Sequence, residues 1–288
     1  MINLERVINL ESPDLIMVVG DVNSTLAGAI TANKMGLPIA HLESGLRSGD
    51  HSMPEEINRL ITDRITDHYF VTEQSGLDHL KAEGRDMNKV HFVGNTMIDT
   101  MVAFEEGIEG SAVMETYDVA PLKYILMTMH RPATVDDEKE LTKLFELMEH
   151  VTKTYKLVFP MHPRTMKNIE KFGLQDRLEA IDGLVITEPM DYFSFQKLVK
   201  YAKLILTDSG GIQEESTFRQ VPCLTLRPNT ERPSTITIGS NELITFDIEL
   251  IKSKLSDIEE GRFKEGKVPP LWDGKATERI VEVLNRVV

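Results

Sequence analysis

"LTDSGGIQEES", residues 206–216, decides how the chain is read. An apolar run ends at Thr207, Gly210 and Gly211 supply a tight turn, and a helical pattern begins near Ile212. A strand that turns at once into a helix is a joint of an α/β fold. Paired glycines there leave backbone N–H groups free to point at an anion, helped by the helix dipole. The turn has neither the GxGxxG spacing nor the GxxxxGK[ST] lysine, which argues against dinucleotide and P-loop binding. Glu215 lies about one turn into the helix, where a carboxylate can accept hydrogen bonds from ribose hydroxyls. The bland alternative is a strand–turn–helix joint that binds nothing.

Outward from this joint the same alternation fills the chain. Strand-like runs are expected at 15–19, 38–42, 68–72, 90–93, 123–129, 156–160, 183–186, 203–207 and 221–226. Helical patterns are expected at 24–35, 54–65, 74–83, 138–153, 192–201 and 211–219. Near-continuous apolar strands between amphipathic helices indicate parallel sheets. The pattern weakens in the polar, Gly-containing connection around 100–122, and "YILMTMH" then starts a second series, so a domain boundary is placed near 105–120. The start, "MINLERVINLESPDLIMVVGD", begins inside an amphipathic helix with Leu4, Val7, Ile8 and Leu10 on one face, and a buried strand follows directly. A parallel sheet beginning there has an early edge.

Composition narrows the function. The 288 residues carry a formal net charge of −14, which argues against a nucleic-acid or anionic-membrane partner. The single cysteine, Cys223 in "VPCLTL", cannot form an internal disulfide; it fits a reducing cytosol and reads as a small buried hydrophobe. No apolar run approaches the roughly 18 residues of a membrane span, and no signal peptide precedes the first element, so a cytoplasmic location is expected.

Ligands of open α/β sheets sit outside the carboxyl ends of the strands. The chemistry-bearing residues cluster there. "LMTMHRPATVDD" places His130 and Arg131 at a strand end, and "FPMHPRT" repeats the arrangement with His162 and Arg164. Each histidine is either a phosphate partner or general acid, or a structural residue. "LRPNTERPST" offers Arg227 and Arg232, each able to bind a phosphate or carboxylate bidentately or to make a surface ion pair. In the first half, "VVGDVNST" puts Asp21 after a strand, itself a possible helix cap, with Asn23, Ser24 and Thr25 as further capping candidates. "PIAHLESG" puts Glu43 near another strand end, where burial is expensive for an idle carboxylate. Ser52-Met53-Pro54-Glu55 matches a capping box, with Ile57, Leu60, Ile61 and Ile65 as the apolar face of the helix and Glu56 as a solvated first-turn charge.

Taken in order, "GDVNSTLAG", "HLESGLRSGD.SMPEEINR", "HRPATVDD", "HPRT", "TDSGGIQEE" and "TERPSTI" resemble the non-hydrolysing UDP-N-acetylglucosamine 2-epimerases of bacteria and archaea, from residue 13 to the "LWDGKATERI" tail. The resemblance implies a GT-B-like α/β fold, two Rossmann-like domains with parallel sheets around a central cleft. The N-terminal domain would span 1–110, the nucleotide-binding domain 118–270, and a C-terminal helix over 271–288 would cross back to the first. It implies reversible conversion of UDP-GlcNAc to UDP-ManNAc through elimination of UDP to 2-acetamidoglucal, with no cofactor and no metal, in a homodimer serving polysaccharide biosynthesis. The matching positions imply Asp21, Glu43 and Glu55 at the sugar ring and His130 beside the diphosphate. Ser209, Gly210 and Gly211 would bind the diphosphate, Glu215 the ribose and Arg232 the nucleotide. Phe195 in "MDYFSF" would lie near the uracil, with Arg131 and His162 linked to substrate or regulation.

Two departures stand out. "HRPATVDD" replaces the "HRREN" of some relatives while keeping His130, and the family's first strand with its "GTRPE.IK" loop has no counterpart. A truncated first domain, with compromised activity, is therefore the expectation. The rival readings are a GT-B glycosyltransferase, a non-catalytic UDP-sugar-binding or regulatory protein derived from the family, and a hydrolytic enzyme releasing free ManNAc.

Overall fold

Short apolar runs bounded by turn residues pair side by side in the computed structural model, which describes residues 1–288 apart from the side chain of Ala133. Two compact units result. Unit 1 holds residues 1–102, 229–234 and 269–288, and unit 2 holds 103–228 and 235–268.

Unit 1 runs α1 (Ile2–Glu11), β1 (Ile16–Val19), α2 (Asn23–Lys34), β2 (Ile39–Leu42), α3 (Pro54–Ile65), β3 (His68–Val71), α4 (Gln74–Ala82), β4 (Val90–Phe92) and α5 (Thr96–Ala103). Its four strands are parallel in the order β1-β2-β3-β4, with Ile16 opposite Ile39 and Ala40 opposite His68. Successive strand residues face opposite sides. Ile39 therefore packs with Val18 and with Ala29 and Ala32 of α2, whereas Ala40 and Leu42 join Phe70 and Val93 on the other side.

Unit 2 runs α6 (Glu105–Gly110), α7 (Val113–Thr116), β5 (Tyr124–Thr128), α8 (Pro132–Val135), α9 (Glu138–Val151), β6 (Lys156–Pro160), α10 (Pro163–Lys171), α11 (Gln175–Glu179), β7 (Leu184–Thr187), α12 (Tyr192–Tyr201), β8 (Leu204–Thr207), α13 (Gly211–Arg219), β9 (Cys223–Leu226), α14 (Ser234–Thr237), β10 (Asn241–Ile244) and α15 (Ile248–Glu259). Its six parallel strands take the order β10-β9-β8-β5-β6-β7. The sheet separates two apolar layers. Ile125 and Met127 face Leu141, Phe145 and Ile251, while Tyr124 and Leu126 face Leu198, Ile205 and Cys223. The chain builds outward from β5 through β6 and β7, then returns to β8 on the other side of β5. The order reverses between β5 and β8, which is where such sheets open a ligand crevice.

The last helix, α16 (Ala276–Val287), belongs to unit 1, where Ile280 and Val283 cover Phe70 and Val93. Its first turn is capped from a distance: the carboxylate of Asp99 accepts from the Ala276 N–H at 3.0 Å and the Thr277 N–H at 2.6 Å. Just before it, Trp272 is buried, and its indole N–H donates to the Thr72 carbonyl at 2.9 Å.

Several expectations are corrected. β10 is an additional strand, hidden in "NELI" because an edge strand with one pairing partner needs little apolar sequence. In α1 only Ile8 is buried, and Val7 and Leu10 lie exposed. α2 has no side-chain cap; Thr25 instead donates its hydroxyl back to the Val19 carbonyl at 2.6 Å. No helix among the described residues is long and apolar enough to cross a membrane.

Replacing Trp272 with alanine removes the largest fully buried side chain and strands the Thr72 carbonyl. The expected loss is about 3–5 kcal/mol of unfolding free energy, read from the urea midpoint.

Candidate active site

In unit 1, Asp21 and Glu43 follow adjacent parallel strands, β1 and β2, at their carboxyl ends. Asp21 is held by Arg59, whose Nε and Nη2 lie 3.0 and 2.8 Å from its Oδ2. The Asn58 amide donates to the Asp21 carbonyl at 2.8 Å. Glu43 has φ of 69°, a left-handed conformation that a side chain disfavours by roughly 1–2 kcal/mol. Burial pushes its carboxyl above the ordinary range; Arg232, 3.8 Å away, opposes the rise, and the Asp21 charge adds to it.

These residues are fixed by α3, whose inward face is polar. Glu56, Asn58, Arg59, Thr62 and Asp63 are buried, whereas Ile57 and Ile61 are about 40% exposed. Of the expected apolar face, Ile57 and Ile61 thus point outward, whereas Ile65 packs against the cluster around Ile39. The capping box does not form either: Ser52 donates to Asp50, and the N-cap is Met53 without a side-chain bond. Glu56 is a buried partner rather than a solvated charge. It accepts from the Ser48 and Gly49 amides at 2.9 and 3.0 Å and pairs with Arg59. Burial raises its carboxyl, but those donors outweigh it and hold it low. Glu55 sits half-buried on the same first turn, with no ion pair or hydrogen bond among the described residues.

The Asp63 carboxylate collects three donors: His41 Nδ1 at 2.6 Å, the Gly45 amide at 3.0 Å and Arg47 Nη2 at 2.8 Å. Arg47 also holds Glu83, with its Nε 2.9 Å from Oε1. The loop after β2 is clamped further by a glycine contact. Gly45 has φ of 81°, and a Cβ there would lie 2.5 Å from the Gly76 carbonyl oxygen. Arg232, in the 229–234 segment of unit 1, lies beside Glu43, while Arg227 is buried in unit 2.

In unit 2 the switch point carries the second group. His130 follows β5 and Asp208 follows β8; His130 Nδ1 lies 3.0 Å from Asp208 Oδ1. The other oxygen of Asp208 accepts from the backbone N–H groups of His130 and Arg131 at 3.0 and 2.8 Å. One buried carboxylate therefore holds the backbone after β5 and lies against the ring. Ser209, Gly210 and Gly211 lead into α13, and the turn is braced where Thr207 Oγ1 accepts from the Ser209 N–H at 2.9 Å. Gln213 donates to the Ser209 carbonyl at 3.1 Å and is itself bonded to buried Asn241. Phe195 lines a cavity of about 380 Å³ with Thr128, His130, Pro160, His162 and Met190. Glu215 is buried, and burial pushes its carboxyl up to about 7 against the pull of Gln196 and Arg219. His162 caps α10, its Nδ1 accepting from the Arg164 N–H at 3.1 Å, and its ring centre lies 5.8 Å from that of His130. Arg164 itself pairs with Asp136. Arg131 stands at the N-cap of α8.

A family model described as UDP-N-acetylglucosamine 2-epimerase matches residues 1–285. The chain belongs to this family. The UDP-N-acetylglucosamine 2-epimerase of Methanocaldococcus jannaschii is 40% identical, over 99% of this chain and 79% of the relative. The crystal structure of Methanocaldococcus jannaschii UDP-GlcNAc 2-epimerase in complex with UDP-GlcNAc and UDP matches with a TM-score of 0.85 at 39% identity, covering 99% of this chain and 79% of that chain. A Pseudomonas aeruginosa relative, 36% identical over 100% of this chain and 79% of its own length, is a UDP-2,3-diacetamido-2,3-dideoxy-D-glucuronate 2-epimerase. The two parallel sheets are the GT-B-like architecture of these epimerases.

Within this epimerase family member, the residues that sequence reasoning missed are Asp208, His41, Arg59 and Asp63. Asp208 was visible as the residue between the strand end and the glycine turn. Glu56, Arg59 and Asp63 recur at helical spacing, a second stripe competing with the apolar one.

Two outcomes follow from the geometry. Gly45→Ala is expected to cost about 2–4 kcal/mol, since it adds both a clash with backbone and a strained φ; a thermal melt reads it. Glu215 binds its proton more tightly folded than unfolded, so its contribution to stability is present below the ordinary carboxyl range and is lost as pH rises through about 7. Glu215→Gln should abolish that decline, on the order of 3 kcal/mol, in denaturation curves recorded between pH 4.5 and 8.

Proposed function

We propose that the chain reversibly inverts C2 of UDP-GlcNAc to give UDP-ManNAc. The observation that carries this reading is the pair of carboxylates, Asp21 and Glu43, at the ends of adjacent parallel strands in a member of this family. A base takes the C2 proton as the C1–oxygen bond breaks; UDP leaves with the electron pair and C1=C2 forms, giving 2-acetamidoglucal. Protonation of C2 from the opposite face and re-addition of UDP at C1 complete the inversion. The sequence is redox-neutral and balances without an added oxidant or reductant.

The C2 proton is weakly acidic, so a strengthened base helps. Glu43, with its carboxyl raised by burial, suits that task, and Asp21 and Glu55 supply carboxylates in the same unit for the other face. His130, beside the Asp208 carboxylate, suits the charge developing on the diphosphate. The amides of Ser209, Gly210 and Gly211 suit its oxygens, buried Glu215 the ribose, Arg232 the nucleotide, and the cavity lined by Phe195 the uracil. His162, which lines that cavity, and Arg131, next to His130, suit contacts with substrate.

UDP-GlcNAc incubated with the protein in D2O, without acceptor, should acquire deuterium at C2 and yield UDP-ManNAc by NMR. Glu43→Gln and Asp21→Asn should slow exchange by about 10²–10⁴ while UDP affinity changes less than threefold. A glycoside formed only with an added acceptor would point to a transferase, and UDP binding without exchange to a non-catalytic binder. Running the diacetamido-glucuronate nucleotide in parallel fixes the substrate.

A further inference from the structure

β2 carries one titratable side chain that the proposed reaction does not use. His41 is fully buried, with Nδ1 2.6 Å from Asp63 Oδ1 and Nε2 2.9 Å from the Gly20 carbonyl oxygen. A carbonyl oxygen only accepts hydrogen bonds. The Asp63 carboxylate, already accepting from the Gly45 amide and Arg47, also only accepts while ionised. Each ring nitrogen faces an acceptor, so each must carry a hydrogen, and the ring is an imidazolium.

We propose that the His41 imidazolium is a positioning residue that ties the loops bearing Asp21 and Glu43 to α3 and keeps a fixed positive charge behind them. The proposal deepens the epimerase reading and rests on it for turnover alone.

The linkage is short. Gly20 directly precedes Asp21, so the Nε2 bond fixes the carbonyl at the root of that residue. Glu43 lies two residues beyond His41, and Asp63 reaches across to Gly45 on its far side. The ring thus braces both carboxylate loops from beneath without access to substrate, which rules it out as a proton carrier in the reaction. The charges that act on the ring are Asp63 from α3 and Glu43 from the loop after β2; Arg47 pairs with Asp63, and Arg232, Asp21 and Arg59 act in turn on Glu43. Burial by itself drives the ring proton off; the bond and charge of Asp63, the Gly20 carbonyl and the Glu43 charge outweigh it, leaving the affinity for the proton raised. In return the cation draws the Glu43 carboxyl down, against burial.

Nitrogen NMR of the full chain labelled at histidine tests the charge. At pH 8, where an ordinary imidazole is neutral, His41 should remain protonated on both nitrogens; a neutral ring overturns the proposal. Two variants test the role. His41→Gln keeps an N–H but no charge. Asp63→Asn can donate to Nδ1 of a neutral ring while its oxygen still accepts from Gly45 and Arg47. Both should move the Glu43 carboxyl titration upward by carbon NMR and shift the acid limb of the kcat profile to higher pH. Exchange at C2 should fall at least tenfold, with the Kd for UDP within twofold. A lowered melting temperature with the Glu43 titration and the pH limb unmoved marks a merely structural residue and overturns the idea. If His41→Gln does not fold, Asp63→Asn and the wild-type ring decide. If wild-type protein shows no exchange while the NMR results are as expected, the epimerase reading falls and the positioning role of His41 stands.

Discussion

A buried carboxylate, Asp63, is the constraint on which unit 1 depends. It lies inside the sheet-facing side of α3, and three donors from the loop and strand above converge on it. Leaving such a charge buried without its partners costs about 3–5 kcal/mol. Rotating α3 to bury Ile57 and Ile61, which are already more than half covered, would gain only about 1 kcal/mol each. The polar stripe therefore wins, and with it come Arg59 to Asp21 and Glu56 to the amides of Ser48 and Gly49. The strained φ of Glu43 persists because the loop around it is over-determined by these bonds and by the backbone contact between Gly45 and Gly76.

Unit 2 solves the same problem with the same device. Asp208, buried at the end of β8, accepts from two backbone amides after β5 and stands against the His130 ring. In both units an aspartate on one element holds the functional loop of another, so side-chain geometry is set by a bond across adjacent strands or a covering helix. Behind the glycine turn, Gln213, Asn241 and Thr225 form a buried polar chain that fixes the Ser209 carbonyl. Such networks stiffen a site when fully bonded and cost heavily when broken.

Much of this was legible before the fold was known. The nine strand-like runs and six helices that were expected sit within one or two residues of their limits, because buried parallel strands read as continuous apolar runs and their covering helices repeat near 3.6 residues, whereas β10, α10 and α15 were not anticipated. The strand-end placement of Asp21, Glu43, His130 and the 207–211 turn followed from topology. The misreadings share a cause. α3 offers two stripes at helical spacing, and hydrophobicity placed Ile57 and Ile61 inside where the polar stripe is buried instead. Ser52 and Glu55 fit a capping pattern whose serine is taken by Asp50, and His162 turned out to cap a helix. Local chemistry cannot register a competing partner that is distant in sequence.

The sequence by itself therefore determined the α/β class, the alternation of most strands and helices, and which strand ends carry carboxylates, histidines and glycines, since these depend on short-range periodicity and residue type. Only the tertiary structure decided which residues of α3 are buried, that Asp63 and Asp208 are the anchors of their loops, that the 229–234 segment belongs with the first unit, and that both ring nitrogens of His41 face acceptors. Those outcomes depend on which donors meet which acceptors across twenty to two hundred residues of chain, and the pairing energies that settle them exist only once the sheets have formed.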